Sequence, residues 1–475
     1  MEMSDNDIET KKLNQSINAR FSTLKICKSY QNFEKWKKSV GVPEETKVFI
    51  CDWNYPDVSE AFKRRGWYKN EDSESPYFNV KYARKARIPK NLHDWQILNH
   101  FPRNYDLSAK WNLATTIRKN EILTKTSYLT YFPRCFQMEK EGLNEFCNVY
   151  KLIYATSMLK KTLENPNQSG KNILKAISIC RRWVSDLKNK RAKPLESLIY
   201  EDDWRELQNP PTTNDPLTES NLEEISTTLN SLKFLDPQYN LNGERNIWII
   251  KPGRKSRGRD IKILTDLEDI KSYTLEPNYW VCQKYIENPF LVNSKKFDIR
   301  QWVLISNSNP LTIWIYNKCY LRFTALDFSF DDLSNNFMHL TNNSISKNAE
   351  NFEKVDSGFM WHMDQFQAYL YETYGKDVWP ELHKEIKNIV INCILTVGKL
   401  GRKNSFELLG LDLMVDTNLK PWLIEINTSP AMDYSTAVTE SLVKQVSEDL
   451  LKVVIDKTPD SGNFELCYTQ NTRLV

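Results

Sequence analysis

Asp412 sits inside an apolar stretch, LGLDLMV, and Glu425 and Asn427 lie two apart in a second one, LIEIN. Residues two apart on a strand face the same side. The short turn TNLK between the stretches makes them neighbours in a hairpin. Two carboxylates and an amide therefore converge from an apolar sheet. Charges inside strands this apolar are costly unless paired or metal-bound. Three oxygen donors suit Mg²⁺, which keeps waters and takes its remaining ligands from substrate phosphates. Taken alone, the hairpin also reads as a pair of solvent-facing acids.

Groups suited to a polyphosphate lie upstream. Lys251 ends the apolar run WIIKP, and a basic loop with Gly253, Arg254, Lys255, Arg257 and Gly258 leads into a second strand, IKIL. A Walker A loop would require GK[ST] and a following helix. Here the glycines permit close backbone approach from a hairpin flap, and the cations supply charge. In isolation a basic hairpin is also an ordinary solvated turn. VCQKYIE (281–287) runs into the breaker Asn288-Pro289. Such a strand and linker offer backbone groups and the Gln283 amide to the edge of a nucleotide base. Asp298 and Arg300 are two apart in KKFDIR, Arg322 follows in CYLRF, and His339, Thr341 and Asn342 follow in FMHLTNN. Cations and polar donors aimed at one point are what phosphoryl transfer needs, because its catalysis is mainly positioning and charge neutralisation. An Asp/Arg strand pair by itself is equally a structural salt bridge.

Elements must carry these groups. At 475 residues the chain has room for about three lobes. Residues 1–44 read as a mobile extension with a short helix near 30–40. The run VFICDW, a helix from Val58 to Arg65 and the stop at Gly66 mark an N-terminal α/β lobe over 45–105. A central lobe over 106–286 holds a mainly helical insertion and the flap. Within it, 171–195 is a helix with eight Lys/Arg against one acid, Asp186. The next stretch, 201–224, has eight acids against Arg205 and contains the breaker NPPTTNDP, so it reads as a polar connection. A C-terminal lobe spans 287–458. It has strands over 297–323, a turn at Asn307–Pro310 and a helix from Trp379-Pro380 with Leu382, Ile386, Ile389, Val390 and Cys393 on one face. A helix near 439–455 closes it, and 459–475 is a tail.

Composition narrows the class. Lys+Arg is 65 and Asp+Glu 61, a net charge of +4, which argues against a generally basic nucleic-acid coat. Hydrophobic residues at 40% and aromatics at 12% exclude wholesale disorder. The nine cysteines lie at least twelve residues apart, with no zinc spacing, and read as reduced intracellular thiols. The polar, acidic start is not a signal peptide, and no apolar run approaches the roughly 20 residues of a membrane span. A soluble cytosolic protein is expected.

The set Lys251, QKYIE, KFDIR, LRF, HLTNN, LGLDLMVD and WLIEINTSP resembles the tubulin tyrosine ligase-like family of ATP-grasp ligases. The likeness covers roughly 45–455 and is most specific over 244–440. RRGW at 64–67, YFPRC at 131–135, KSRGR at 255–259, NPLTIW at 309–314, MDQFQAYL at 363–370 and STAV at 435–438 are similar to the glycylase branch. The flap departs from the family in keeping only two glycines. The resemblance implies an α/β (α+β) ATP-grasp fold with ATP between the central and C-terminal lobes. It implies that Gln283, Lys284 and Tyr285 frame the adenine and that Asp298 holds the ribose side. Lys110, Lys251, Lys296, Arg257 and Gly258 would contact the nucleotide, and His339, Thr341 and Asn342 would line the nucleotide and acceptor face. Arg300, Arg322 and Glu425 would be catalytic, and Asp412, Glu425 and Asn427 would bind Mg²⁺.

The implied reaction joins free glycine to a glutamate side chain of a tubulin C-terminal tail through an acyl phosphate, starting a branch. Implied with it are a monomer acting on microtubules in cytoplasm, cytoskeleton and ciliary axoneme, with neither nucleic acid nor membrane as partner. The basic segments 171–195 and 81–90 and the flap would recruit acidic tails. The rival readings are a glutamate ligase of the same family and a non-catalytic microtubule-binding module.

Overall fold

The structure is a computed structural model that describes residues 29–84, 92–119, 121–166, 170–189, 198–209, 216–253, 255, 257–273, 279–349, 359–398 and 400–470. Most of the 81–90 cluster, Arg254, the end of the 171–195 segment, most of NPPTTNDP and the last residues of the tail lie outside them.

The N-terminal sheet contains β1 (Val48–Cys51), β2 (Tyr68–Lys69), β3 (Val80–Tyr82) and β4 (Ile97–Leu98) in the order β2-β1-β3-β4, all parallel. All four residues of β1 are buried, as expected of a parallel strand covered on both faces. The helix Pro56–Arg64 begins with proline in its first turn, where the missing N–H costs nothing. Gly66, at φ +75°, ends it. Residues 1–28 of the expected extension lie outside the described residues, and 29–44 are part of the N-terminal lobe. A helix over 29–39 buries Phe33 completely, and the ring stacks on Trp95 at 5.0 Å. That aromatic contact draws residues 29–44 into the lobe.

The central sheet contains β5 (Cys135–Gln137), β6 (Trp248–Pro252), β7 (Lys262–Leu264) and β8 (Trp280–Lys284), antiparallel in the order β5-β8-β6-β7. The helices Lys140–Glu164, Gly170–Lys188, Glu201–Gln208 and Glu219–Leu235 share one apolar core with it, built around Phe146, Trp183 and Trp248. The acidic 201–224 stretch is therefore not a simple polar connection. Its acids meet the preceding basic helix: Asp203 pairs with Lys175 and Arg182, and Glu224 with Arg181 at 2.6 Å. Three cations expected to face an acidic partner are thus paired inside the lobe.

The C-terminal sheet is built on one long strand. Its members are β9 (Leu291–Val292), β10 (Lys295–Ser308), β11 (Leu311–Tyr316), β12 (Tyr320–Phe323), β13 (Met360–His362), β14 (Glu407–Val415), β15 (Pro421–Asn427) and β16 (Phe464–Thr469). β10 pairs along one edge with β12 and β11 and along the other with β14, which pairs with β15. β16 adds to β11, so part of the expected tail is an edge strand. Alternation along β10 and β14 divides two cores. Ile299, Val303, Ile305, Leu409, Leu411 and Leu413 pack with the helix Trp379–Leu395. Trp302, Leu304 and Leu408 pack toward the helix Ala437–Leu451 and the N-terminal lobe. Period two then puts Asp298, Arg300 and Asp412 on this second face, beyond the edge of its apolar part. The buried Glu407 ties the N-terminal lobe to this sheet: it lies 2.6 Å from His100 Nδ1 and accepts the Phe101 N–H. No described helix is long and apolar enough to cross a membrane.

Candidate active site

A cleft of about 830 Å³, partly open to solvent, lies between the central and C-terminal sheets. On the central side Ile249 and Gln283 are paired in register across β6 and β8. Lys251, two residues beyond Ile249, is buried and donates from Nζ to Gln283 Oε1 at 2.7 Å. Burial lowers the Lys251 pKa, against the pull of Glu425. Gln283 Nε2 is buried and has no hydrogen-bond partner among the described residues. A buried donor left in this state is costly, so a ligand acceptor fits beside it.

Lys284, the next residue, points the other way. Its Nζ lies 2.6 Å from Glu287 Oε1, donates to the carbonyls of Ile247 and Tyr285, and stands 5.6 Å over the Trp248 ring. Its ammonium is thus tied to Glu287, while the residue is among those that line the cleft. Glu287 also accepts the N–H groups of Ile247 and Arg245.

Tyr285, Lys296 and His339 form a buried cluster. Lys296 Nζ donates to the Tyr285 hydroxyl at 2.8 Å and to the His339 carbonyl at 3.0 Å, and Tyr285 Oη lies 3.0 Å from His339 Nδ1. His339 Nε2 lies 3.0 Å from the Asp332 carbonyl. That carbonyl only accepts, so Nε2 carries the proton and Nδ1 accepts from Tyr285. Burial, reinforced by Lys296, brings the His339 pKa down to about 4. The imidazole is therefore neutral near pH 7. Burial, reinforced by Lys251 and opposed by Asp298, brings Lys296 down to about 7.

The flap lies down on the loop that follows His339. Arg257 and Gly258 have φ +64° and +73°. The Ser344 hydroxyl donates to the Arg257 carbonyl, and a Cβ on Gly258 would come within 2.5 Å of Ile345 Cδ1 and 3.0 Å of Asn342 Oδ1. Lys110, at the start of the helix Lys110–Lys119, donates to the Lys255 carbonyl at 3.2 Å and lies 3.3 Å from Glu425 Oε2.

Opposite, four charges interlock. Arg322 donates twice to Asp298, each bond 2.7 Å, and its NH2 lies 2.8 Å from Asp412 Oδ2. Arg300 Nε donates to Asp412 Oδ1 at 2.6 Å, and the Thr341 hydroxyl donates to Asp298. Burial opposes ionisation of Asp412, but Arg300 and Arg322 outweigh it and hold the carboxyl well below the usual carboxylate range. Burial and the Asp412 charge push Asp298 up, against Arg322. Both arginines expected to neutralise a phosphoryl group are tied to carboxylates here, and the cleft is lined by further cations, among them Lys251, Lys296 and Arg257.

Asp412 and Glu425 are paired in register across β14 and β15, and the register then slips so that Leu413 meets Leu423. Ile424 is the extra residue of this bulge. Ile424 and Glu425 both line the cleft. Asn427 Nδ2 reaches Glu425 Oε1 at 3.4 Å and the Gly410 carbonyl at 3.3 Å. No group of three His, Cys, Asp or Glu side chains poised for a metal exists among the described residues. The donor set is two carboxylates and an amide. It fits a Mg²⁺ that takes its other ligands from phosphates and water, with the half-buried Glu425 as its open member.

All the candidate residues except Arg300, Arg322 and Asn427 line the cleft. Sequence reasoning missed the apolar lining of Ile249, Ile261, Ile286, Leu340, Met414 and Ile424. Ile249 is two residues before Lys251, and Met414 two after Asp412, so strand period alone could have found these two. The bulge that turns Ile424 inward carries no such signal.

The description "Tubulin-tyrosine ligase family" matches residues 192–461. The chain is 32% identical to "Tubulin glycylase 3D" of Tetrahymena thermophila, over 94% of this chain and 52% of that protein. It is 31% identical to mouse "Protein monoglycylase TTLL8", over 90% of this chain and 64% of that protein. It is 40% identical to human "Tubulin monoglycylase TTLL3", over 90% of this chain and 65% of that protein. The chain thus spans between about half and just under two thirds of the length of these curated relatives. With a family match over more than half its length, the chain belongs to the tubulin-tyrosine ligase family.

Proposed function

We propose that this chain is an ATP-dependent carboxylate–amine ligase that attaches glycine to glutamate side chains of tubulin C-terminal tails and starts the branch. The observation that carries the chemistry is the cleft itself. Lys251, Lys296 and Lys110 face one space in which Glu425 and Asp412 lie close together. The names of the relatives, tubulin glycylase and monoglycylase, support glycine and tubulin as substrates.

The backbone of 284–286 would border the adenine, with Met414, Ile424 and Ile249 against its faces. Lys251 and Lys110 would neutralise the phosphates, and Gln283 Nε2 would gain an acceptor. Glu425, Asp412 and Asn427 would hold Mg²⁺, whose chemistry is to polarise the transferring phosphoryl group. The tail glutamate oxygen attacks the γ-phosphorus, ADP leaves, and an acyl phosphate forms. The glycine amine then attacks the acyl carbon, phosphate leaves, and the amine gives up a proton. The flap resting on Asn342 and Ile345 would shield the water-labile acyl phosphate. Action on microtubule tails would place the protein on the cytoskeleton, the ciliary axoneme included.

ADP release by the purified chain with Mg²⁺ tests this. Release should require microtubules and glycine together. Release indifferent to glycine contradicts the reading.

A further inference from the structure

Gly410 lies inside β14, buried, with Trp302 opposite it on β10 and Asn427 opposite it on β15. Its φ is not in the left-handed region, so the backbone does not require glycine there; the surrounding space does. A Cβ would lie 3.1 Å from Arg300 Cδ, 3.3 Å from Arg300 Nε and 2.8 Å from Pro430 Cβ. The stem of Arg300 passes over the bare Cα of Gly410 on its way to Asp412. The Gly410 carbonyl accepts from Asn427 Nδ2.

We propose that Gly410 is a positioning residue of the active site: its missing side chain is the slot in which Arg300 lies while it holds Asp412. This rests on the ligase reading above. A methyl group in the slot would push the Arg300 stem by a few tenths of an ångström and strain its 2.6 Å bond from Nε to Asp412 Oδ1. With that bond weakened, the partners at Oδ2, chiefly Arg322 at 2.8 Å, would dominate, and the carboxylate would turn relative to Glu425. Gly410 touches none of the cleft space, so its effect should reach the cleft only through Asp412.

The test is Gly410→Ala, assayed for glycine incorporation into microtubules. The expected result is a fall in kcat of about tenfold, short of the roughly hundredfold loss that an ångström's misplacement produces, with KM for ATP changed less than kcat. An unchanged kcat overturns the proposal. Gly410→Ala/Pro430→Ala relieves the nearer contact and should stay impaired; recovery would assign the crowding to Pro430 and overturn the role of Arg300. A melting-temperature cycle reads the contact without any activity. With Pro430→Ala present throughout to remove the nearer contact, Gly410→Ala should lower Tm when Arg300 is native and leave it unchanged when Arg300→Ala is added; an equal drop in both overturns the proposal. Should Gly410→Ala alone not fold, adding Arg300→Ala and Pro430→Ala together must restore folding whenever the Arg300→Ala/Pro430→Ala variant folds. Absence of glycine incorporation by the native chain would sink the ligase reading and leave the melting cycle to judge the slot.

Discussion

Lys284 Nζ and Glu287 Oε1 are 2.6 Å apart and both side chains are almost fully buried, at the point where β8 leaves the central sheet for the C-terminal lobe. The pair fixes the segment that borders the cleft to the loop ahead of β6, through the Arg245 and Ile247 N–H groups. Gly243 makes room for it, since a Cβ there would fall 2.3 Å from Glu287 Oε2. Removing one partner of such a pair leaves a buried charge. Glu287→Ala should therefore lower unfolding free energy by about 3–5 kcal/mol, read by chemical denaturation, and raise KM for ATP in what remains folded. A change within error would show that the pair does not hold this segment in place.

Glu425 and Asp412 should separate function from stability. Glu425 is half-buried and held by one lysine and one amide. Asp412 balances two buried arginines. Glu425→Gln should abolish ligation and leave Tm close to native. Asp412→Asn should abolish ligation and also lower stability by about 3–5 kcal/mol, because it strands the buried Arg300, while Arg322 keeps Asp298. Thermal melts of the two variants side by side decide this; equal melting temperatures would contradict the buried quartet.

Lys296 makes stability pH-dependent. Its folded pKa of about 7 lies below the ordinary lysine value of 10.5. Between those values the unfolded chain binds the extra proton, so this lysine makes stability rise with pH across the window, and its penalty is complete below pH 7. Lys296→Met should flatten the rise. A phosphate placed near Lys296 would favour the charged form, so ATP binding at pH 8 should take up a proton, and the variant should lose that uptake. Calorimetry in buffers of different ionisation heat measures it; uptake unchanged in the variant would contradict the assignment.

Much of the site was legible because strand period two is strict. It put Asp298 with Arg300, and Glu425 with Asn427, on common faces before any coordinates. The same rule separates Gln283 from Lys284, whose side chains must point oppositely, yet the motif grouped them around the base. Alternation says which way a side chain points and not what it meets there. Glu287, Trp248 and the Ile247 carbonyl reach Lys284 only through tertiary packing. The charge runs at 171–195 and 201–224 were visible, but pairing between Arg181 and Glu224 is a contact between helices. Phe33 lies in a polar stretch, and its burial depends on Trp95, more than sixty residues away.

Mass spectrometry of tubulin tails tests the central claim most directly. Microtubules are incubated with the purified chain, Mg²⁺, ATP and an equimolar mixture of isotope-labelled glycine and glutamate. The ligase reading predicts labelled glycine in isopeptide linkage to tail glutamates, dependent on ATP and absent with Glu425→Gln. Labelled glutamate in that linkage, with glycine absent, or tails left unmodified, would contradict it.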